Sequence, residues 1–476
     1  MAAVIVAGGS VAGLCAALAL ARPGADVLVL ESSPPPPEGP VTEAAPRWLR
    51  PAVPQAQHSH TLTSLGMRVL RERAPLVLEA LMAEGAVRFD LLRSMPSGVT
   101  DRTPEAADAD LVALGCRRTV LELVLYRFVR ALPGVRIRHG VKVAGLLTDP
   151  ERGAVQGVTA VGGERIPGDI VVDATGRRAE GRGWLAAAGV PLGEDRTAPS
   201  GLAGFSRFYS ISGRGPDADL PGPLNRGHAA GDIFERYAGV LHPGDRGTFA
   251  VALGVLPGYR KLGRLSQAPV FTAVARATAG LGGWLADGVS EPISPVYAMT
   301  SPPNALRATA TRAPVAGLFP VGDAACVTNP LFGRGMSLAL DHAFRLADLL
   351  SARPAVDRAQ AVAAARLARD TFEPWFDHAV AGDRDRIARW GGARAAVPPP
   401  HTPSMRAVAA AAATDGHVWR GLTRMLMGLS TPAEVFGDEA FGLRVSRAAE
   451  GGRRQAGPPM RTCLAPAAAA ATGDRP

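Results

Sequence analysis

Apolar residues recur along the chain in two rhythms. Short unbroken runs bounded by turn residues read as buried parallel strands: Val4–Ala7, Val27–Leu30, Asp169–Val172 and Gly317–Val321. Helical spacing covers Val11–Arg22, residues 61–83, Thr119–Ala131 with Leu121, Val124, Leu125 and Phe128 on one face, residues 335–351, and long parts of 355–393 and 416–446. Further strands are predicted at Ala86–Leu92, Val135–Arg138 and Val141–Leu147, and a hairpin at Val155–Val161 and Glu164–Pro167, joined by Gly162-Gly163. Residues 102–112 read as an acidic loop, and Pro34–Pro37 as a stiff exposed one. From about 200 to 300 the pattern changes to alternation, in Phe205–Ile211, Asp232–Val240 and Thr248–Leu256, which predicts a mostly antiparallel sheet. Residues 451–476 are rich in Gly, Pro, Ala and Arg and read as a disordered tail.

Composition narrows this picture. With 476 residues, 47% hydrophobic and 20% charged, the chain can bury a large core. The net charge of +9 is carried almost wholly by arginines spread along the chain, Lys142 and Lys261 being the only lysines, so it does not point to nucleic acid. Cys15, Cys116, Cys326 and Cys463 form no CxxC pair and no metal-ligand spacing, which fits a reducing cytoplasm and predicts no metal site. Residues 2–21 are apolar but lack a basic leader and are interrupted by Gly8, Gly9 and Gly13, so they predict neither a targeting segment nor a membrane span.

Those glycines have another explanation. Gly8-Gly9-Ser10-Val11-Ala12-Gly13 is a GxGxxG variant with serine at the second glycine. It follows a strand, opens a helix, and is answered eighteen positions after Gly13 by Glu31 at the end of the next strand. Gly8 permits the tight turn, Gly13 lets helix and strand approach, and the unpaired N–H groups of the helix start suit a pyrophosphate. Glu31 can accept hydrogen bonds from ribose hydroxyls. By itself the unit predicts a dinucleotide site and does not separate FAD from NAD.

About three hundred residues later stands Leu318-Phe319-Pro320-Val321-Gly322-Asp323-Ala324-Ala325, followed by Asn329-Pro330-Leu331-Phe332-Gly333-Arg334-Gly335-Met336-Ser337. With both segments, the chain resembles the single-component flavoprotein monooxygenases related to p-hydroxybenzoate hydroxylase. The resemblance implies FAD as the dinucleotide, held by Gly8, Ser10, Val11, Ala12, Gly13 and Glu31. It implies Asp323 on the ribityl chain, and Pro330, Gly333, Gly335 and Met336 around the isoalloxazine, with Pro330 and Phe332 lining the flavin face. Arg118 matches the arginine of an Arg-x-x-Leu segment that reaches FAD. Asp173-Ala174-Thr175-Gly176-Arg177 occupies the place of the family's Asp-Gly motif but departs from it. Val53-Pro54-Gln55-Ala56-Gln57-His58-Ser59-His60 resembles a segment of the bacterial polyether-type epoxidases, with Gln57 in place of an arginine. His58 and His60 alternate across that extended stretch without an assigned role.

The resemblance implies an α/β fold with three parts. A Rossmann-like FAD-binding domain takes residues 1–75, 113–180 and 301–352. An interleaved, mostly antiparallel substrate domain takes 76–112 and 181–300, and a C-terminal helical region takes 353–450. The implied reaction uses NADPH or NADH as transient reductant and dioxygen as co-substrate. A flavin hydroperoxide then epoxidises or hydroxylates an apolar natural-product intermediate. Such chemistry asks for a dry, shaped pocket, and no catalytic side chain is assigned. Arg207, Tyr209, Phe234 and Tyr297, with Phe205 and Tyr237, are candidates to line it. Two alternatives stay open: an FAD-dependent reductase that saturates isoprenoid double bonds, and a non-catalytic flavoprotein that senses redox state or joins an assembly.

Overall fold

The computed structural model describes residues 2–212, 230–258, 264–392 and 403–451; Lys261, Cys463 and the predicted tail from 452 onward lie outside the described residues. The short apolar runs become one five-stranded sheet, in the order Leu318–Pro320, Ile170–Asp173, Ala3–Ala7, Asp26–Glu31, Val135–His139. Every pairing in it is parallel. Parallel sheets are buried on both faces, which is why these strands read as continuous apolar runs. Val4, Val6, Val27 and Val29 face helices Val11–Leu20, Arg118–Arg130 and Gly335–Ala352. Ile5, Ala7, Leu28 and Leu30 face a three-stranded antiparallel sheet, Val143–Asp149, Ala154–Ala160 and Arg165–Pro167, which contains the predicted hairpin.

A second large sheet is antiparallel. Its order is Ala230–Ile233, Ala238–Pro243, Thr248–Val255, Ala203–Ile211, with Ser290–Pro292 and Tyr297–Thr300 both pairing with the outer edge of Ala203–Ile211. One face holds Phe205, Tyr209, Ile211, Phe249, Val251 and Leu253 against helix Ala268–Ala277 and Trp284. The opposite face holds the intervening residues Gly204, Ser206, Phe208, Ala250, Ala252 and Gly254, because successive strand side chains alternate. A Cβ on Gly254 would come within 3.6 Å of Leu331, so this small-residue face is turned towards the Asn329–Met336 loop.

Three predicted elements differ. Residues 61–83 form two helices, Ser64–Arg73 and Pro75–Ala83, because Pro75 holds Ala74 out of the helical region, at φ −146 and ψ 55. Asp232–Val240 is not one strand: it holds the end of Ala230–Ile233, a turn, and the start of Ala238–Pro243, with Phe234 N–H donating to Tyr237 O at 2.8 Å across the turn. Pro54–Gln57 coils into a single 3-10 turn, and the chain extends again at His58. Helix Arg358–Gly391, 34 residues long, then crosses the molecule and packs on Gly335–Ala352. No helix among the described residues is long and apolar enough to cross a membrane.

Candidate active site

The carboxyl ends of the parallel strands, where ligands of open α/β sheets bind, surround an open cavity of about 260 Å³. It runs from Glu31 to Met336, so segments three hundred residues apart in sequence share one wall. Gly8 turns the chain at φ +115, and a Cβ there would stand 2.4 Å from Ala174 O. A Cβ on Gly13 would stand 1.8 Å from Gly8 O, and one on Gly322, at φ +58, 2.6 Å from the Ala12 Cβ. The backbone is therefore drawn in close around the cavity at positions only glycine tolerates.

Helix Val11–Leu20 starts at Ser10, whose side chain makes no cap; its hydroxyl instead accepts from Arg118 Nη2 at 3.1 Å. The first helical N–H groups are left to face the cavity, an arrangement that attracts anions. Glu31 is 5% exposed; its Oε2 accepts from Gly9 N–H at 2.8 Å and its Oε1 from Ser33 N–H at 2.7 Å. Burial pulls its pKa up, but the Arg50 charge and these backbone donors outweigh burial and hold the carboxyl below its ordinary range. Arg50 bridges Glu31 at 3.5 Å and Glu122 at 2.8 Å, and Glu122 meets Arg118 at 3.5 Å. The result is a buried, electrically balanced row, Glu31–Arg50–Glu122–Arg118, beneath the cavity. Burial lowers the Arg118 pKa, opposed by Glu122. Sequence reasoning missed Arg50 and Glu122. Glu122 left one signal, a charge four residues after Arg118 and flush with the apolar stripe of its helix; Arg50 left none.

Asp323 stands on the cavity wall, with Oδ2 accepting from Arg177 Nε at 3.3 Å. Asp173 does not. It is fully buried, accepting from Thr175 N–H at 3.0 Å, Thr175 Oγ at 2.6 Å and Gly181 N–H at 3.0 Å, so it folds the turn that presents Thr175, Gly176 and Arg177 to the cavity. Pro330–Phe332 is a 3-10 turn closed by Gly333 in the left-handed region at φ +64. Gly335 and Met336 line the cavity, and Pro330 is exposed beside it. The Phe332 ring is spent elsewhere, 5.3 Å from His378 and 4.6 Å from the Arg334 guanidinium.

Of the predicted pocket residues, only Tyr297 is on the small-residue face, paired with Ser206. Arg207 bonds Ser294 O at 3.1 Å and Thr272 Oγ at 3.0 Å on the other face; Tyr209 stacks on Phe249, and Phe234 on Tyr237. Phe205 joins the same helix-side cluster. One step in strand parity decides this, and both faces carry enough apolar residues to hide the parity in the sequence. His58 meets Tyr297 edge-on at 6.4 Å, and its Nδ1 is 3.2 Å from Ser206 Oγ, so it joins this face to the cavity wall at Pro51–Gln55. Burial, aided by Arg177, pushes its pKa down to about 4. His60 Nδ1–H donates to His58 O at 2.7 Å, leaving Nε2 to accept from Arg118 at 3.4 Å, and its pKa also falls well below the usual value, through burial and Arg118.

Residues 3–202 match the sequence model of the FAD dependent oxidoreductase family. Protein Rv3254 of Mycobacterium tuberculosis is 26% identical over 399 residues, covering 79% of each chain. The p-nitrophenol 4-monooxygenase PnpA of Pseudomonas putida superposes with a TM-score of 0.56 at 17% identity, over 95% of this chain and 99% of that one. The flavin-dependent halogenase CmlS superposes with a TM-score of 0.57 at 19% identity, over 84% and 68%. The glycine cradle, the acidic strand end and the helix starts form a donor and acceptor set that fits FAD. Residues 3–202 thus carry the pattern of FAD-dependent oxidoreductases, and the chain has the fold shared by flavin-dependent monooxygenases and halogenases.

Proposed function

We propose that the protein is an FAD-dependent monooxygenase that epoxidises or hydroxylates an apolar natural-product intermediate with NAD(P)H and dioxygen. Two electrons come from NAD(P)H, one oxygen atom enters the product, and the other leaves as water. The observation that carries the reading is the small-residue sheet face of Gly204, Ser206, Ala250, Ala252 and Gly254, turned towards the Asn329–Met336 loop. Phe208 and Tyr297 lie on the same face, which therefore offers an apolar surface to a substrate beside the loop.

FAD, when bound, supplies the electron-transfer and oxygen-transfer chemistry. The protein's part is binding, orientation and exclusion of water. In this reading Glu31 accepts from the adenosine ribose, while Ser10, Val11 and Ala12 at the helix start and Arg118 hold the pyrophosphate. Gly8 and Gly13 let the backbone approach. Asp323 takes the ribityl chain, and Pro330, Gly333, Gly335 and Met336 surround the isoalloxazine. The N–H groups at the start of Gly335–Ala352 face the flavin edge that becomes negative on reduction. His58 is held neutral at physiological pH beside Ser206 and Tyr297 on this face and is suited to a hydrogen bond with substrate.

Turnover under labelled dioxygen tests the proposal. One labelled atom per product is expected, with NAD(P)H and oxygen consumed together. Equal turnover without oxygen, giving a hydrogenated product, sinks the monooxygenase reading and leaves a reductase.

A further inference from the structure

The loop that carries Pro330 does not stand by itself. Its back is built by one stretch of the long helix Arg358–Gly391. Trp375 lies 4.5 Å from the Arg334 guanidinium, His378 Nδ1 lies 3.3 Å from Arg334 Nη2, and a Cβ on Gly382 would come within 3.2 Å of the Phe332 ring. The centre of this contact is Asp383, 1% exposed. Its Oδ1 accepts from Asn329 Nδ2 at 2.6 Å and Arg386 Nη2 at 3.0 Å, and its Oδ2 accepts from Asn304 Nδ2 at 2.7 Å.

The rest of the network leaves no freedom in how these side chains point. Asn329 Oδ1 accepts from Leu331 N–H at 2.9 Å, and Asn304 Oδ1 accepts from Asn329 N–H at 2.7 Å, which fixes both amide orientations. Arg386 donates to Gly201 O at 2.9 Å and to Ser200 O, just before strand Ala203–Ile211. Asn304 and Asn329 are at most 2% exposed and Arg386 is 3% exposed. Three donors converge on one buried carboxylate, so each bond is costly to lose.

We propose that Asp383 is the positioning residue of the flavin loop. It sets where Pro330–Met336 stands against the cofactor, and through Arg386 it ties that loop to the start of strand Ala203–Ile211 in the antiparallel sheet. The inference rests on the FAD reading above. It makes the C-terminal helical region part of the flavin site although none of its described residues lines the cavity.

The test uses the full chain, stripped of flavin and titrated with FAD. Asp383→Asn turns one acceptor into a donor facing donors, so the FAD Kd should rise about tenfold, with a changed visible spectrum and a shifted reduction potential of the bound flavin. The exchange Asn329→Asp with Asp383→Asn restores a carboxylate opposite an amide, and should bring the Kd back to within about threefold of wild type. Asp415→Ala removes the N-cap of helix Gly416–Leu426, where Asp415 accepts from Val418 N–H at 3.0 Å and from Arg444 at 3.0 Å; it should lower the melting temperature and leave Kd, spectrum and potential unchanged. Wild-type flavin parameters in a folded D383N overturn the proposal. So does an exchange variant that folds without recovering, or an Asp415→Ala that perturbs the flavin equally; the exchange variant decides the matter where D383N does not fold. Failure of the wild-type chain to bind FAD overturns the FAD reading instead.

Discussion

Gly13→Ala is the sharpest probe of the dinucleotide cradle. In an ordinary helix interior, replacing glycine by alanine gains up to about 1 kcal/mol. At position 13 the new Cβ would lie 1.8 Å from Gly8 O and 3.2 Å from the Ala174 Cβ. Helix Val11–Leu20 must then slide by more than an ångström, yet it is wedged between the parallel sheet and helix Gly335–Ala352. Overpacking of this kind costs about 1–3 kcal/mol, which cancels or exceeds the propensity gain. The larger effect falls on the cofactor. A slide that breaks two charge-assisted hydrogen bonds to a pyrophosphate, at about 1.5 kcal/mol each, weakens FAD binding at least about 100-fold. Flavin fluorescence titration measures that loss, and thermal melts of the flavin-free protein measure the folding part. Gly183→Ala is the control: Gly183 is exposed in helix Gly181–Ala187 with nothing within 4 Å of its Cβ position, so it should be neutral or stabilising by up to about 1 kcal/mol. A Gly13→Ala protein that binds FAD within about threefold of wild type refutes the reasoning.

Other outcomes follow from the same structure. Asp245, with its side chain 1% exposed, accepts from the backbone N–H and Nε of Arg117 at 2.9 and 3.0 Å and from Nη2 at 2.6 Å, joining the turn after Ala238–Pro243 to helix Arg118–Arg130. Asp245→Asn should cost about 3 kcal/mol in urea denaturation, because Arg117 is left half-buried without its partner. Ala252→Phe places a large ring on the small-residue face and should abolish turnover while leaving the FAD Kd unchanged; a parallel loss of FAD would refute the assignment of this face to substrate. Acid should unfold the protein early. Burial holds His58 at about 4, His342 and His378 at about 3, and His60 well below its usual value, whereas all four titrate near 6.5 when unfolded. The unfolded chain therefore takes up protons first as pH falls below about 6.5, and stability drops by about 1.4 kcal/mol per pH unit for each histidine until its folded pKa is reached. Asp173 and Asp383, raised by burial, work in the opposite direction but are two against four. Urea midpoints that stay flat from neutral pH to about pH 5 would refute this.

Much of the cofactor site was legible because its constraints are local. A strand, a turn that only glycine can make, a helix start and an acid at the next strand end all lie within thirty residues, and each leaves its mark in residue type. The second segment was legible through its resemblance to a family. The Phe332 ring, by contrast, gives no local sign that it packs on a helix forty residues onward, and Asp173 looks like a ligand-binding residue until its three donors are seen.

The amino-acid sequence alone determined the parallel strands, the helices, the glycine cradle and the dinucleotide chemistry, because backbone conformation and hydrophobic period depend on neighbours a few residues away. Only the tertiary structure decided three other matters. It chose the parity of the antiparallel sheet, turning Ser206 and Ala252 rather than Arg207 and Tyr209 towards the loop. It assembled the Glu31–Arg50–Glu122–Arg118 row from three separate segments. It also seated the Asn329–Met336 loop on Asp383. Each depends on which buried charge or face finds a partner across the fold, and that energy is set by burial and distance in space, not by separation along the chain.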